Sequence, residues 1–312
     1  MNVWSQYHIR RERTLDTESR LSDLHNVQSN RWEHDGLSAQ SWGLVAVASL
    51  VGIAAFLYPF LLPLVAPNDE QRARAGDAPI LFALVTLLCL IAIAIELDPA
   101  GERIGGISAS QLGARLGVLV AANAALRLIP TFLGASPIFV LIILVGAVFG
   151  PVFGFQMGAL TLLVSAFLTG GIGPWLPFQM LGAGWVGLTA GYLPQPVSQR
   201  NRLIILAAFG AVSGFAYGAL LNLFSWPFAA PGAGQDIGLY WNPSLSTAES
   251  LEHYARFYLV TSLWYDAFRA LANAILILLI GAPLLRTLDR SRAHFAWRPW
   301  TSNRVVAPPP SS

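Results

Sequence analysis

The chain has 312 residues, 54% hydrophobic and only 12% charged, against about 25% charged in a soluble globular protein. All 19 basic residues are arginine and the net charge is +2, which excludes Schiff-base and P-loop lysine chemistry and provides no basic surface for nucleic acid. The single cysteine, Cys89, lies in an apolar run, and the histidines fall in the termini (His8, His25, His34, His294) or in a predicted loop (His253), so neither a disulfide framework nor a metal centre is expected and no cofactor is implied.

Residues 1–42 carry five arginines and six acids and lack the early apolar core of a cleaved signal; they are predicted as a flexible cytosolic arm. A spanning helix needs roughly 20 apolar residues to cross about 30 Å of hydrocarbon. Runs 43–66 and 79–97 meet that requirement and define a two-helix membrane extension over 43–102. Within a core spanning 103–290, runs 112–130, 177–195, 203–225 and 257–285 also qualify. The remaining run, 137–168, is too long for one crossing and is interrupted by Gly150-Pro151, so it is predicted as two helices joined by a tight turn. Residues 291–312 form a polar cytosolic tail. The expected fold class is therefore all-α: a polytopic membrane bundle in which two extra helices precede a six-helix core, with eight crossings in total.

An even count places both termini on one side. With the N-terminus inside, thirteen arginines lie in inner segments and two, Arg72 and Arg74, in outer loops. Cytoplasmic loops are enriched in basic residues, so both termini are expected in the cytoplasm of an inner-membrane protein. The segment from Trp226 to Ala255, with no arginine and three acids, then faces outward.

Small residues four apart mark faces where membrane helices approach closely. Gly113, Gly117, Ala121 and Ala125 form one such ridge, Ala183, Gly187 and Gly191 a second, and Gly210, Gly214 and Gly218 a third. Each is read first as packing within the bundle, with a partner-docking groove as the alternative, for which the first ridge is the best candidate.

Polar side chains within spanning helices are functional candidates, because burying a charge there costs about 2.5–3.5 kcal/mol on insertion scales. Asp266, Arg269 and Asn273 share one face of the last helix at i, i+3, i+7. Asn123 and Arg127, Gln179 and Asn222 reach the same outer half from three other helices, under loops carrying Trp175, Trp226, Tyr240 and Trp241. An apolar wall with a few convergent polar groups describes a ligand pocket. The acid and the arginines are equally readable as a structural ion pair, and the aromatics as an interfacial belt.

The segments Ala124-Ala-Leu-Arg-Leu-Ile-Pro130, Ser136-Pro-Ile-Phe, Gly146-Ala-Val-Phe-Gly-Pro-Val-Phe-Gly-Phe155 and Gly173-Pro-Trp-Leu-Pro-Phe-Gln-Met180 together resemble the substrate-binding S component of energy-coupling factor (ECF) vitamin transporters. Gly214-Phe-Ala-Tyr-Gly218 with Asn222, Thr261-Ser-Leu-Trp-Tyr-Asp-Ala-Phe-Arg-Ala270 with Asn273, and Gly281-Ala-Pro-Leu-Leu-Arg286 continue the likeness in order, so that it covers about 105–290. The resemblance implies a six-helix, non-enzymatic subunit that captures a vitamin or vitamin precursor at its outer face. It also implies docking on a membrane coupling subunit driven by two cytosolic ATPases, through an alanine-rich motif that falls on Ala121 and Ala125, next to Gly117. The two N-terminal helices depart from the pattern.

The expected ligand-binding set is Arg127, Trp175, Phe178, Gln179, Asn222, Asp266, Arg269 and Asn273. Such a wall suits a flat heterocycle better than a phosphate-rich ligand. An autonomous secondary transporter is the alternative, although no internal repeat is visible. An intramembrane enzyme ranks lower, because Ser136, Ser165 and Ser213 have no histidine beside them in the apolar segments.

Overall fold

A computed structural model describes residues 39–65, 84, 87, 109–129, 134–228, 238–241 and 245–295. Apart from positions 84 and 87, the predicted second crossing (79–97) lies outside the described residues, as do most of the N-terminal arm and of the C-terminal tail. Those described form eight α-helices and no strand: α1 (Ala39–Val65), α2 (Ala109–Leu126), α3 (Ile138–Phe149), α4 (Pro151–Thr169), α5 (Leu176–Gly191), α6 (Gln199–Ser225), α7 (Thr247–Thr261) and α8 (Leu263–Phe295). Among the described residues three apolar stretches are long enough to cross a membrane, Pro151–Thr169, Gln199–Ser225 and Leu263–Arg292; the apolar parts of α1, α2 and α3 are shorter.

The break predicted at Gly150-Pro151 is present. Gly150 has φ 101°, a conformation that glycine adopts without steric cost, and Pro151 starts α4, where its missing N–H would have had no helical partner. The next turn follows the same logic, since Gly170 closes α4 in the left-handed conformation (φ 66°).

Two sequence expectations are corrected. The segment ending at Ala255 is not all loop, and 257–285 is not one helix. Ser246 and Glu249 form a reciprocal capping box that starts α7, which holds the Glu249 carboxyl below the usual carboxylate range through hydrogen bonds from the Ser246 backbone and side chain. His253 is thus helical, with Nδ1 3.1 Å from the Tyr240 carbonyl oxygen. The chain breaks at Ser262 (φ −126°, ψ −22°), and α8 begins afresh, so Asp266 lies in the first turn of a helix rather than nine residues inside one.

The core sits between α3, α4, α5 and α6, around Ile142, Ile143, Phe153, Phe155, Met157 and Leu181. The small-residue ridges explain how close the helices come. On α5, a methyl group at Gly187 would collide with the Gly154 carbonyl of α4, one at Gly191 with Pro151, and the Ala183 carbonyl blocks Gly158. On α6, Gly210 faces Ile277 and Asn273, Gly214 lies 2.8 Å from the Ala270 backbone measured from a built Cβ, and Gly218 lies against the Asp266 carboxylate. Both ridges are occupied within the chain. On α2 the opposite face is buried, through Leu116, Val120, Asn123 and Ala124, while Gly117, Ala121 and Ala125 are exposed and a Cβ at Gly117 meets nothing within 4 Å.

At the arginine-rich end, Arg202 of α6 pairs with Asp289 of α8 at 2.7 Å. From the same end of α8, Arg292 donates to the Val148 carbonyl at 2.5 Å.

Candidate functional site

Antiparallel helices bring to the other end of the bundle the C-terminal turns of α2, α4 and α6 and the N-terminal turns of α3, α5 and α8. The predicted site residues gather there in two groups. In the first, Arg127 follows α2 and donates to Ser165 of α4 (3.0 Å) and to Gln179 of α5 (3.4 Å). Asn123, one turn earlier, donates to the Ile138 carbonyl (3.2 Å) and to Thr161 (3.1 Å), tying α2 to α3 and α4.

In the second group, Asp266 and Arg269 form an ion pair on one turn of α8. Arg269 also reaches the Gly214 carbonyl of α6 and the Gly134 carbonyl before α3, each at 3.3 Å. Gly134 has φ 79°, so the chain there turns in a way that suits glycine and presents its carbonyl to the guanidinium. Asp266 is 2% exposed. Its position in the first turn also sets the carboxylate at the positive end of the α8 dipole. One oxygen is taken by Arg269, and the Tyr258 phenol of α7 also donates to the carboxylate.

Between the groups stands Tyr217, which the sequence reading did not single out. Arg269 lies over its ring at 5.4 Å, Phe139 meets it edge-on at 4.6 Å, and Gly182 leaves room for it on α5. Both Arg269 and Arg127 are within electrostatic reach of its hydroxyl. The available signal was its place in Gly214-Phe-Ala-Tyr-Gly218, where it is flanked by the glycines that let α8 approach.

The other predicted residues differ in placement. Phe178 stacks on Phe224 (4.2 Å) and forms an apolar wall beside Gln179. Asn222 is half-buried one turn beyond Gly218, and its Nδ2 has no partner among the described residues. Asn273 lies deeper, fully buried, with Nδ2 donating to the Gly210 carbonyl at 3.0 Å, so it fastens α8 to α6 below the group. Trp175 is 45% exposed and its indole donates back to the Gly171 carbonyl (3.2 Å), within its own turn. Trp226, by contrast, is fully buried and bonds the Leu239 carbonyl (2.9 Å).

The family profile of the ECF transporter substrate-specific component matches residues 112–281. The chain belongs to this family. The match on this S component runs from α2 into α8 and includes the eight predicted ligand-binding positions and the exposed α2 ridge; α1 precedes it. The family is one of transport subunits, which agrees with the apolar helical architecture. No curated protein and no solved structure matches the chain.

Proposed function

We propose that this S component captures a vitamin or vitamin precursor at the outer face of the cytoplasmic membrane, and releases it inward when docked on a coupling subunit and two ATPases. The observation that carries the reading is the pairing of family membership with a desolvated polar centre at one end of the bundle. There, Asn222 Nδ2 and Asn273 Oδ1 are buried without a hydrogen-bond partner among the described residues. Buried polar atoms without partners are costly, by about 1–3 kcal/mol each, and a ligand offering one donor and one acceptor relieves that cost.

Aromatic rings wall this end, Phe178 against Phe224 and Phe56 and Tyr217 against Phe139; the Arg269 charge is balanced by Asp266, while Arg127 is held by the neutral Ser165 and Gln179. Such a wall suits a planar heterocycle better than a phosphate-rich ligand. Arg127, Gln179, Asn222, Asp266 and Arg269 form the polar part of the site, with Phe178 and Trp175 on its apolar side and Asn273 as its floor. The orientation with both termini cytoplasmic is supported by the position of Arg202, Arg286, Arg290 and Arg292 towards the end opposite the site.

Docking is assigned to the exposed ridge Gly117, Ala121 and Ala125. The ridges on α5 and α6 are filled by α4 and α8, which leaves α2 as the ridge whose small residues are open among the described residues.

Purification from the membrane fraction followed by mass spectrometry of bound small molecules and proteins tests the reading. A vitamin-like compound together with ATPases and a coupling subunit is expected. Uptake by this chain alone, undiminished after deletion of the ATPases, would overturn it. Asp266→Asn and Asn222→Ala are expected to lower ligand occupancy while insertion persists, and full occupancy in both would place the site elsewhere.

A further inference from the structure

Helix α1 lies outside the family match, yet its buried positions Ser41, Val45, Ala48, Gly52 and Phe56 recur at spacings of four, three, four and four. That is the seam of a helix packed lengthwise on another. Its partner is α5, in antiparallel register. Trp42 meets Tyr192 (6.2 Å between ring centroids), the Trp185 indole donates to Ser49 (3.0 Å), and Phe56 meets the edge of Phe178 (5.0 Å). Each seven-residue step up α1 is matched by seven residues down α5. At Gly52 the helices close further, since a Cβ there would lie 2.8 Å from Leu181. The other face of α1, with Val47, Leu50, Ile53 and Leu57, is exposed and suits lipid. Hydrocarbon could cover α5 but could not accept the Trp185 hydrogen bond.

This seam ends at the ligand-binding end. Phe178 is held between Phe224 on its face and Phe56 on its edge, and its neighbour Gln179 holds Arg127. One turn on, Phe60 packs against Trp226 (6.0 Å) and Tyr254 (6.2 Å), and its carbonyl accepts from Thr247 (3.4 Å). Tyr254 in turn bonds the Ala219 carbonyl of α6 (2.5 Å). Through these contacts α1 touches both the Arg127 side of the centre and α7, the helix that leads into Asp266.

We propose that α1 is a working wall of the binding unit, moving with the core as one body, and that Phe56 is a positioning residue for Phe178. The inference rests on the reading of this end of the bundle as the ligand site. Its test uses the full chain in lipid nanodiscs, with a fluorinated phenylalanine at position 178 followed by fluorine NMR, and retention of a panel of tritiated water-soluble vitamins measured in parallel.

Phe56→Ala is expected to displace the position-178 resonance and to weaken retention of the bound tracer about tenfold, which is about 1.4 kcal/mol and the upper part of the range for an aromatic pair. Phe56→Leu, which keeps bulk without the ring, is expected to fall between, and Leu50→Ala on the lipid face to change neither. An unmoved resonance in Phe56→Ala, or a displaced resonance with unchanged tracer retention, overturns the positioning role. If the unaltered protein retains no vitamin of the panel, the vitamin-capture reading fails instead, and an unmoved resonance alone then decides against Phe56.

Discussion

The ridges on α5 and α2 are built from the same residue types at the same spacing and meet opposite fates. Ala183, Gly187 and Gly191 are pressed against the α4 backbone so closely that no side chain fits between them, whereas Gly117, Ala121 and Ala125 face open space among the described residues. Small-residue spacing alone therefore marks a place where a backbone can approach, and what does approach is decided elsewhere. On α5 it is decided by Gly154 and Gly158, which form a matching groove on α4. On α2 the buried side already carries the anchoring residues, Leu116, Val120 and Asn123, so among the described residues the ridge stays open, as the proposed docking role requires.

Substitutions should separate these cases. The largest effect is expected for Gly187→Leu, whose side chain has only the Gly154 carbonyl to push against; a cost of more than about 3 kcal/mol should leave no monodisperse protein on size exclusion in detergent. Gly218→Ala is next. Its methyl group meets the Asp266 carboxylate and should lower stability by about 1–3 kcal/mol, measured by thermal unfolding, with loss of bound ligand. A melting curve like that of the parent would mean that α8 can give way at this point.

For Ala121→Trp the expected change in stability is within about 0.5 kcal/mol, yet capture of the coupling subunit should be lost with ligand binding intact. Loss of both would show that the α2 ridge is packed after all. The smallest effect is expected for Gly117→Ala, which meets no atom and should gain a few tenths up to about 1 kcal/mol from helix propensity without altering capture.

Much of the bundle is legible in the sequence because the signals are local. A glycine followed by proline ends one apolar run and starts another, and the i, i+3 spacing of Asp266 and Arg269 on one helix turn makes their pairing readable. The start of α7 was equally local, in Ser246 and Glu249, but the apolar residues from Phe257 onward draw the eye to a single long crossing and hide the break at Ser262. What local patterns do not reveal is which residue of a distant helix completes a contact. Tyr217 looks like one more apolar core residue until α8 brings Arg269 over its ring, and nothing in the spacing of Asn273 names the Gly210 carbonyl as the acceptor for its amide. Nor does the periodicity of α1 name α5 as the helix that fits it.

The hairpin of α3 and α4 carries a consequence for how the protein is made. Twelve residues of α3 measure about 18 Å at 1.5 Å per residue, well short of a bilayer core of about 30 Å, and Gly150 and Pro151 at its end are buried. Backbone that leaves the helical pattern within a membrane bundle needs protein around it, and the Val148 carbonyl accepts from Arg292, 144 residues later. The insertion machinery meets α3 and α4 long before that arginine is synthesised. The contact between Arg292 and this hairpin can form only once the end of α8 has been made, so Arg292 is a late clasp on the α3–α4 hairpin.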